Sequence, residues 1–178
     1  RPRLRTSLLK SKLAAAGAAF RVRHGVEVAS HFTGGRAEYL AVRDGIGLTD
    51  FSFSRIVRVP EEKGIDFLDT VVAGNVPKIR FGRVLHTFMA DADGWLTGDC
   101  YVANNDREFV LLCESILPDA QFDAVLQAAG AAEAGGEGLT DSHALFSLGG
   151  LRARGIFKKL FGPDGPRVAY FFILVYSF

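Results

Sequence analysis

The sequence predicts an α+β fold, and three features carry that reading. Ile56-Val57-Arg58-Val59 reads as a strand that runs into a helix opened by Pro60. Three further strand-like segments then follow one another with only short polar turns between them, and a second proline-initiated helix closes the set. Strand, helix, three strands, helix is a split α+β arrangement, close to ferredoxin-like.

Each element has its own signal. Thr6 is an N-cap type of residue ahead of a helix over residues 7–16, which Gly17 would end. Phe20–Val22 and Val26–Val28 flank His24-Gly25 and read as a short hairpin. The next helix covers Arg36–Asp44, offering Tyr39, Leu40 and Val42 as inward positions before Gly45 and Gly47 stop it. Behind Pro60, the positions of Ile65, Phe67, Leu68, Val71 and Val72 give a helix with one apolar face. The three strands are Arg83–Ala90, Trp95–Ala103 and Glu108–Cys113, joined by Asp91-Ala92-Asp93-Gly94 and Asn104-Asn105-Asp106-Arg107. Pro118 starts a helix with Phe122, Val125 and Leu126 as its buried face, ending near Gly130. Gly130–Gly138 is rich in Ala, Gly and Glu and reads as a loop or connection. Ala144–Leu148, a helix over Leu151–Leu160 and an apolar terminal strand, Tyr170–Val175, then begin a second βαβ-like passage. Such a strand at a chain end exposes an edge, so it is expected either to dock inside or to be followed by more chain.

Composition narrows the class. The 178 residues are 48% apolar and 23% charged, with 21 basic against 20 acidic side chains, which excludes a disordered chain and gives no polyanion-binding balance. No nucleic-acid partner is expected. Arg1, Arg3, Arg5, Lys10, Lys12, Arg21 and Arg23 precede the first acidic residue, so the start is a basic patch suited to an anionic ligand. A mitochondrial presequence would share that pattern, but here the helix runs straight into apparent core. The Leu8–Leu13 stretch is interrupted by Lys10, Ser11 and Lys12, and Val168–Phe178 is short of the ~20 residues that span a bilayer, so no membrane partner is expected. Cys100 and Cys113 lack a CxxC spacing or nearby paired histidines, so no metal site is predicted and a reducing, cytoplasmic setting is the default.

Gly45-Ile46-Gly47 lacks the third glycine and the preceding strand of a dinucleotide fingerprint, and no phosphate loop, Gly-x-Ser-x-Gly or HExxH occurs. Carboxylates and the histidines His24, His31, His86 and His143 remain. If the Asp91–Gly94 turn closes a hairpin through a loop of two or four residues, His86 falls directly opposite Asp99, Phe88 opposite Thr97 and Val84 opposite Tyr101. Directly opposed Cβ atoms lie ~4.5–5.5 Å apart, within reach of a His86–Asp99 hydrogen bond on a face shared with Trp95, Thr97 and Tyr101. A three-residue loop with a bulge would break that register. The same pattern also suits an ordinary cross-strand polar pair on a solvated face. Asp50 reads as a turn or cap residue, Glu38 and Arg43 as a solvated helix face, and Cys100 as pointing away from Asp99. Lys158 and Lys159 complement a helix dipole.

Taken in order, several segments resemble the glycine-cleavage T-protein family, the tetrahydrofolate-dependent aminomethyltransferases and their folate-binding relatives. Glu38-Tyr39-Leu40-Ala41-Val42-Arg43 through Gly47-Leu48-Thr49-Asp50-Phe51-Ser52 is similar to the family's E-x-L-A-V-R-x-x-x-G-L-F-D-x-S. Asn75-Val76 followed by Gly82-Arg83-Val84-Leu85-His86-Thr87 resembles N-D-V followed by G-R-A-L-Y-T. Asp93-Gly94-Trp95-Leu96-Thr97-Gly98-Asp99 resembles D-G-G-I-I-D-D, and Ala144–Gly150 resembles A-L-L-A-L-Q-G. The resemblance implies the first two domains of a three-domain folate-binding cloverleaf. Residues 1–53 and 139–178 would form parts of the first domain, 54–130 an inserted ferredoxin-like domain and 131–138 a connection. The family's pterin-gripping acid and last domain would lie beyond Phe178, so residues 1–178 by themselves are expected to bind folate weakly or not at all and to be inactive. It also implies a transferase that moves a one-carbon unit from a lipoyl-carrier protein to tetrahydrofolate. Asp99 falls on the family's key aspartate, which orients the folate amine and helps remove its proton. His86, Tyr101, Leu112, Glu114 and Ser54 fall on its folate contacts. This sequence departs from the pattern at His86 for tyrosine, at Ser52-Phe53-Ser54 for S-H-M, at Gly98 for the first aspartate of the pair and at Glu114 for asparagine. A non-catalytic folate-binding or regulatory protein on the same scaffold is the alternative those departures leave.

Overall fold

A computed structural model of the chain describes residues 4–91, 93–105, 107–115, 117–162 and 174–177. In chain order its strands and α-helices are β1 (Arg5–Thr6), α1 (Lys10–Ala15), β2 (Ala19–Arg23), β3 (Val26–His31), α2 (Gly35–Asp44), β4 (Gly47–Asp50), β5 (Arg55–Pro60) and α3 (Glu61–Val71). There follow β6 (Val84–Ala90), β7 (Leu96–Asn105), β8 (Glu108–Ser115), α4 (Asp119–Ala128), β9 (Glu137–Gly138), β10 (His143–Gly149), α5 (Ala153–Phe161) and β11 (Leu174–Ser177). The chain divides into two compact units, Arg1–Phe53 with His143–Phe178, and Ser54–Ser142. No helix among the described residues is long and apolar enough to cross a membrane.

In the first unit, β3 lies between β1, to which it is parallel, and β2, to which it is antiparallel. The β2–β3 turn places His24 at φ 47° and Gly25 at φ 79°, the paired positive φ that a tight two-residue hairpin requires. Thr6 is a strand residue and not the expected cap. The helix starts later, at Lys10, behind Ser7, whose Oγ accepts from the Leu9 N–H at 3.2 Å.

The second sheet of this unit is β11-β10-β4, antiparallel throughout, so β10, α5 and β11 do not form the parallel passage expected. Of the expected strand Tyr170–Val175, residues 170–173 lie outside the described residues. Helix α2 matches its expected span, but of the three positions expected inward Tyr39 is 61% and Leu40 46% exposed, and Val42 alone is half-buried. Its inward contacts depend on glycine. A Cβ at Gly47 would sit 2.3 Å from Val42 Cγ2, and one at Gly150, where φ is +110°, 2.6 Å from the Val42 carbonyl oxygen.

Glu38 is not simply on a solvated face. Its Oε1 accepts from the backbone N–H groups of Phe32 at 2.6 Å, Thr33 at 2.7 Å and Gly34 at 3.1 Å, satisfying donors ahead of α2. These bonds, Phe32 first, hold its carboxyl below the usual carboxylate range. A depressed acid stabilises the fold above its unfolded pKa of ~4.3 and loses that contribution as pH falls through the lower folded value. Glu38→Gln is therefore expected to lower the urea midpoint at pH 7 and to differ less from the parent at pH 3, as read by circular dichroism.

The second unit is a five-stranded antiparallel sheet in the order β6-β7-β8-β5-β9. Strands β9, β5, β8 and β7 give the order of the expected split unit, with β6 added at one edge. Period-2 alternation sends Val57, Val59, Cys100, Val102, Phe109, Leu111 and Cys113 to one face, where Phe67, Leu68 and Val71 of α3 and Phe122 and Leu126 of α4 cover them. Val125, expected inward, is exposed because the i, i+4 pair Phe122 and Leu126 defines the buried stripe of α4. Arg55 on β5 ties that helix down, pairing with Asp119 at 2.9 Å and with Asp123 while its guanidinium lies 5.0 Å from the Phe122 ring centroid.

Residues 131–138 join this unit. β9 pairs with β5, Glu137 pairs with Arg58, and the Leu139 N–H donates to the Ile56 carbonyl at 2.8 Å. The boundary therefore falls after Ser142 and not after residue 138. The β5 backbone supplies the reason, since its second edge is satisfied by this stretch.

Candidate active-site face

The β6–β7 hairpin sets the register of the side chains that matter. Asp91 N–H donates to the Trp95 carbonyl at 2.9 Å, and Asp91 Oδ1 accepts from the Asp93 and Trp95 N–H groups at 3.0 and 2.9 Å, closing a three-residue loop with Gly94 at φ 84°. Ala90 then pairs with Leu96 but Met89 with Gly98, so Thr97 is an extra, bulged residue. The odd loop and the bulge each slip the register by one. His86 consequently opposes Tyr101, Phe88 opposes Asp99 and Val84 opposes Ala103, in place of the pairings expected. A single slip would have turned His86 and Asp99 to opposite faces, whereas two restore the parity.

The pair itself forms on the diagonal. His86 Nε2 donates to Asp99 Oδ1 at 2.6 Å, and the imidazole stacks on Tyr101 with ring centroids 4.6 Å apart and planes at 18°. Both side chains are 58% exposed, so this is an accessible polar face and not part of the core. Across β7, Asp99 opposes Glu114 and Tyr101 opposes Leu112 on β8, which in turn opposes Ile56 on β5. Ser54 immediately precedes β5, next to Arg55, which opposes Cys113. Two neighbouring same-face rows therefore hold five of the six residues singled out from the sequence, Glu114 and Asp99 in one and Leu112, Tyr101 and His86 in the other, while Ser54 stands just ahead of β5. Leu112 and Ser54 are buried, while Asp99 and His86 are open.

Tyr101 sits between the two environments. Burial, followed by the negative charges of Asp99 and Glu114, pushes its phenol above the ordinary tyrosine value, so it remains a hydrogen-bond donor at neutral pH. Phe88, 44% exposed and directly opposite Asp99, is the member of the face that the sequence reading misplaced against Thr97. Its parity with His86 was the available signal. On the reverse of β7 and β8, Cys100 and Cys113 oppose one another as buried thiols outside any disulfide, pointing away from Asp99 as expected.

This face combines two carboxylates, a protonated phenol, an imidazole and exposed aromatic surface on one rigid sheet. It can accept hydrogen bonds from N–H donors of a flat ring system while holding a proton acceptor at hand. Similar proteins share the surrounding fold. The aminomethyltransferase of Thermoanaerobacter sp. (strain X514) is 26% identical over 136 residues, covering 76% of this chain and 37% of that protein. The aminomethyltransferase of Streptomyces coelicolor is 24% identical over 169 residues, covering 94% of this chain and 45% of the relative. The crystal structure of glycine cleavage system aminomethyltransferase T from Bartonella henselae superposes with a TM-score of 0.76 at 21% identity, over 88% of this chain and 44% of that one. The chain thus spans less than half the length of these relatives. The family model for the GCVT N-terminal domain matches residues 9–173, and the chain belongs to that family.

Proposed function

We propose that this chain contributes the folate-facing sheet of a tetrahydrofolate-dependent one-carbon transferase of the glycine-cleavage T-protein type, with Asp99 as its catalytic carboxylate. The observation that carries this reading is the meeting of Asp99, His86 and Tyr101 on one exposed face, at positions where the family resemblance expects the key aspartate and folate contacts. The donor set suits a reduced pterin, a flat ring rich in N–H groups, because Asp99 and Glu114 supply acceptors and Phe88 and the His86–Tyr101 stack supply a planar wall. When bound, the folate provides the amine that receives the one-carbon unit. Asp99 then accepts a hydrogen bond from that amine, fixes its orientation and offsets the positive charge that builds as the new N–C bond forms. Tyr101 donates its phenolic hydrogen, and Leu112 and Ser54 form the floor from which these side chains rise. We assign the donor to a lipoyl-carrier protein and the setting to a reducing, cytoplasmic compartment, which suits two buried cysteines outside any disulfide.

A second reading, a folate-binding or regulatory protein without turnover, draws on the fact that Asp99 Oδ1 is already engaged by His86. A transfer assay with tetrahydrofolate and an aminomethyl-lipoyl carrier separates the two. Folate-dependent turnover is expected when the family's remaining domains accompany this chain. Saturable folate binding without turnover supports the second reading, and the absence of both contradicts each.

A further inference from the structure

We propose that the proton acceptor of this site is the His86 imidazole, through Nδ1, with Asp99 acting as the group that fixes its tautomer and balances its charge. The inference rests on the folate-transferase reading for its substrate and on the geometry of β6 and β7 for its chemistry. An ionised carboxylate can only accept a hydrogen bond, so the 2.6 Å contact places the ring proton of neutral His86 on Nε2 and the lone pair on Nδ1. No described residue engages Nδ1 or the second oxygen of Asp99, and both side chains are 58% exposed, so each keeps one open valence toward the same face. The near-parallel Tyr101 ring, 4.6 Å away, holds the imidazole plane against rotation out of that position. A histidine held by a carboxylate is a working general base at neutral pH, where a solvated carboxylate alone is a weak one.

The step balances without further reagents. As the lone pair of the acceptor amine forms the N–C bond, the bond from that carbon to its donor breaks with the electron pair leaving on the donor atom. The proton of the amine passes to Nδ1. Imidazolium, paired with Asp99, then returns the proton to the leaving group or to water. The titratable groups that face His86 are Asp99 and Tyr101 on β7, with Glu114 on β8 one strand further; Tyr101 stays neutral through the working range.

The direct test needs no turnover. Ring ¹⁵N shifts of the uniformly labelled protein above the imidazole range are expected to show His86 protonated on Nε2 and bare on Nδ1, and the Asp99→Asn variant is expected to lose that preference. The kinetic test uses His86→Gln, whose amide nitrogen takes the place of Nε2 and keeps a donor toward Asp99 but cannot take a proton. It is expected to lose about 10²–10⁴-fold in transfer rate measured at saturating tetrahydrofolate. An Nδ1–H tautomer, or a His86→Gln variant with the parental rate at saturating tetrahydrofolate, overturns the proposal. A protein that binds no folate overturns the functional reading instead, and the ¹⁵N spectra still decide whether the dyad is poised as described.

Discussion

Asp99→Asn is expected to lower one-carbon transfer by about 10²–10⁴-fold while leaving the fold intact. The amide keeps the size and one acceptor oxygen of the carboxylate but carries no charge, so it neither stabilises imidazolium at His86 nor offsets the charge building on the acceptor amine. Because the side chain is 58% exposed and outside the core, the exchange belongs to the class of surface substitutions that change stability by roughly 0.5 kcal/mol or less. Steady-state rates, with thermal melts as the control, separate chemistry from folding. Unchanged turnover with an unchanged melt would remove Asp99 from the mechanism.

The largest stability effect is expected at Phe122. Its side chain is fully buried in the core between α4 and the sheet, and Arg55 stacks on its ring while pairing with Asp119 and Asp123. Phe122→Ala leaves a cavity, removes apolar burial and takes away the surface over which the Arg55 guanidinium is held, a loss of about 3–5 kcal/mol by the usual cost of such truncations. Urea denaturation of the protein at neutral pH measures it. A loss below about 1 kcal/mol, within the range of ordinary surface changes, would show that α4 does not seal this core.

The fold was legible wherever a two- or 3.6-residue period sorted apolar from polar positions. The strands around Val57, Val102 and Leu111 and the helix around Phe67 and Leu68 are examples, because burial on one face fixes both period and parity. Features that depend on a single backbone geometry were not. The Asp91–Gly94 turn matches several loop lengths, and only the structure shows that a three-residue loop and a bulge at Thr97 together preserve the His86–Asp99 face. Tyr39 and Leu40 looked like core because helical periodicity marks an apolar stripe without saying what covers it. The role of Glu38 escaped for a related reason: a carboxylate bound to three backbone N–H groups looks, in a sequence, like any exposed acid. The 131–138 stretch was read as a connection from its composition, yet a two-residue strand suffices to attach it to β5.

The central claim is that a reduced folate lies against the face formed by β6, β7 and β8. Nuclear magnetic resonance titration of the isotopically labelled protein with tetrahydrofolate, the family's remaining domains being present, tests it most directly. Saturable shift changes are expected at His86, Phe88, Asp99, Tyr101 and Glu114, with much smaller changes at Cys100, Val102 and Leu111 on the reverse of the same strands. Saturable changes confined to other surfaces, or none at all, would contradict the assignment of this face.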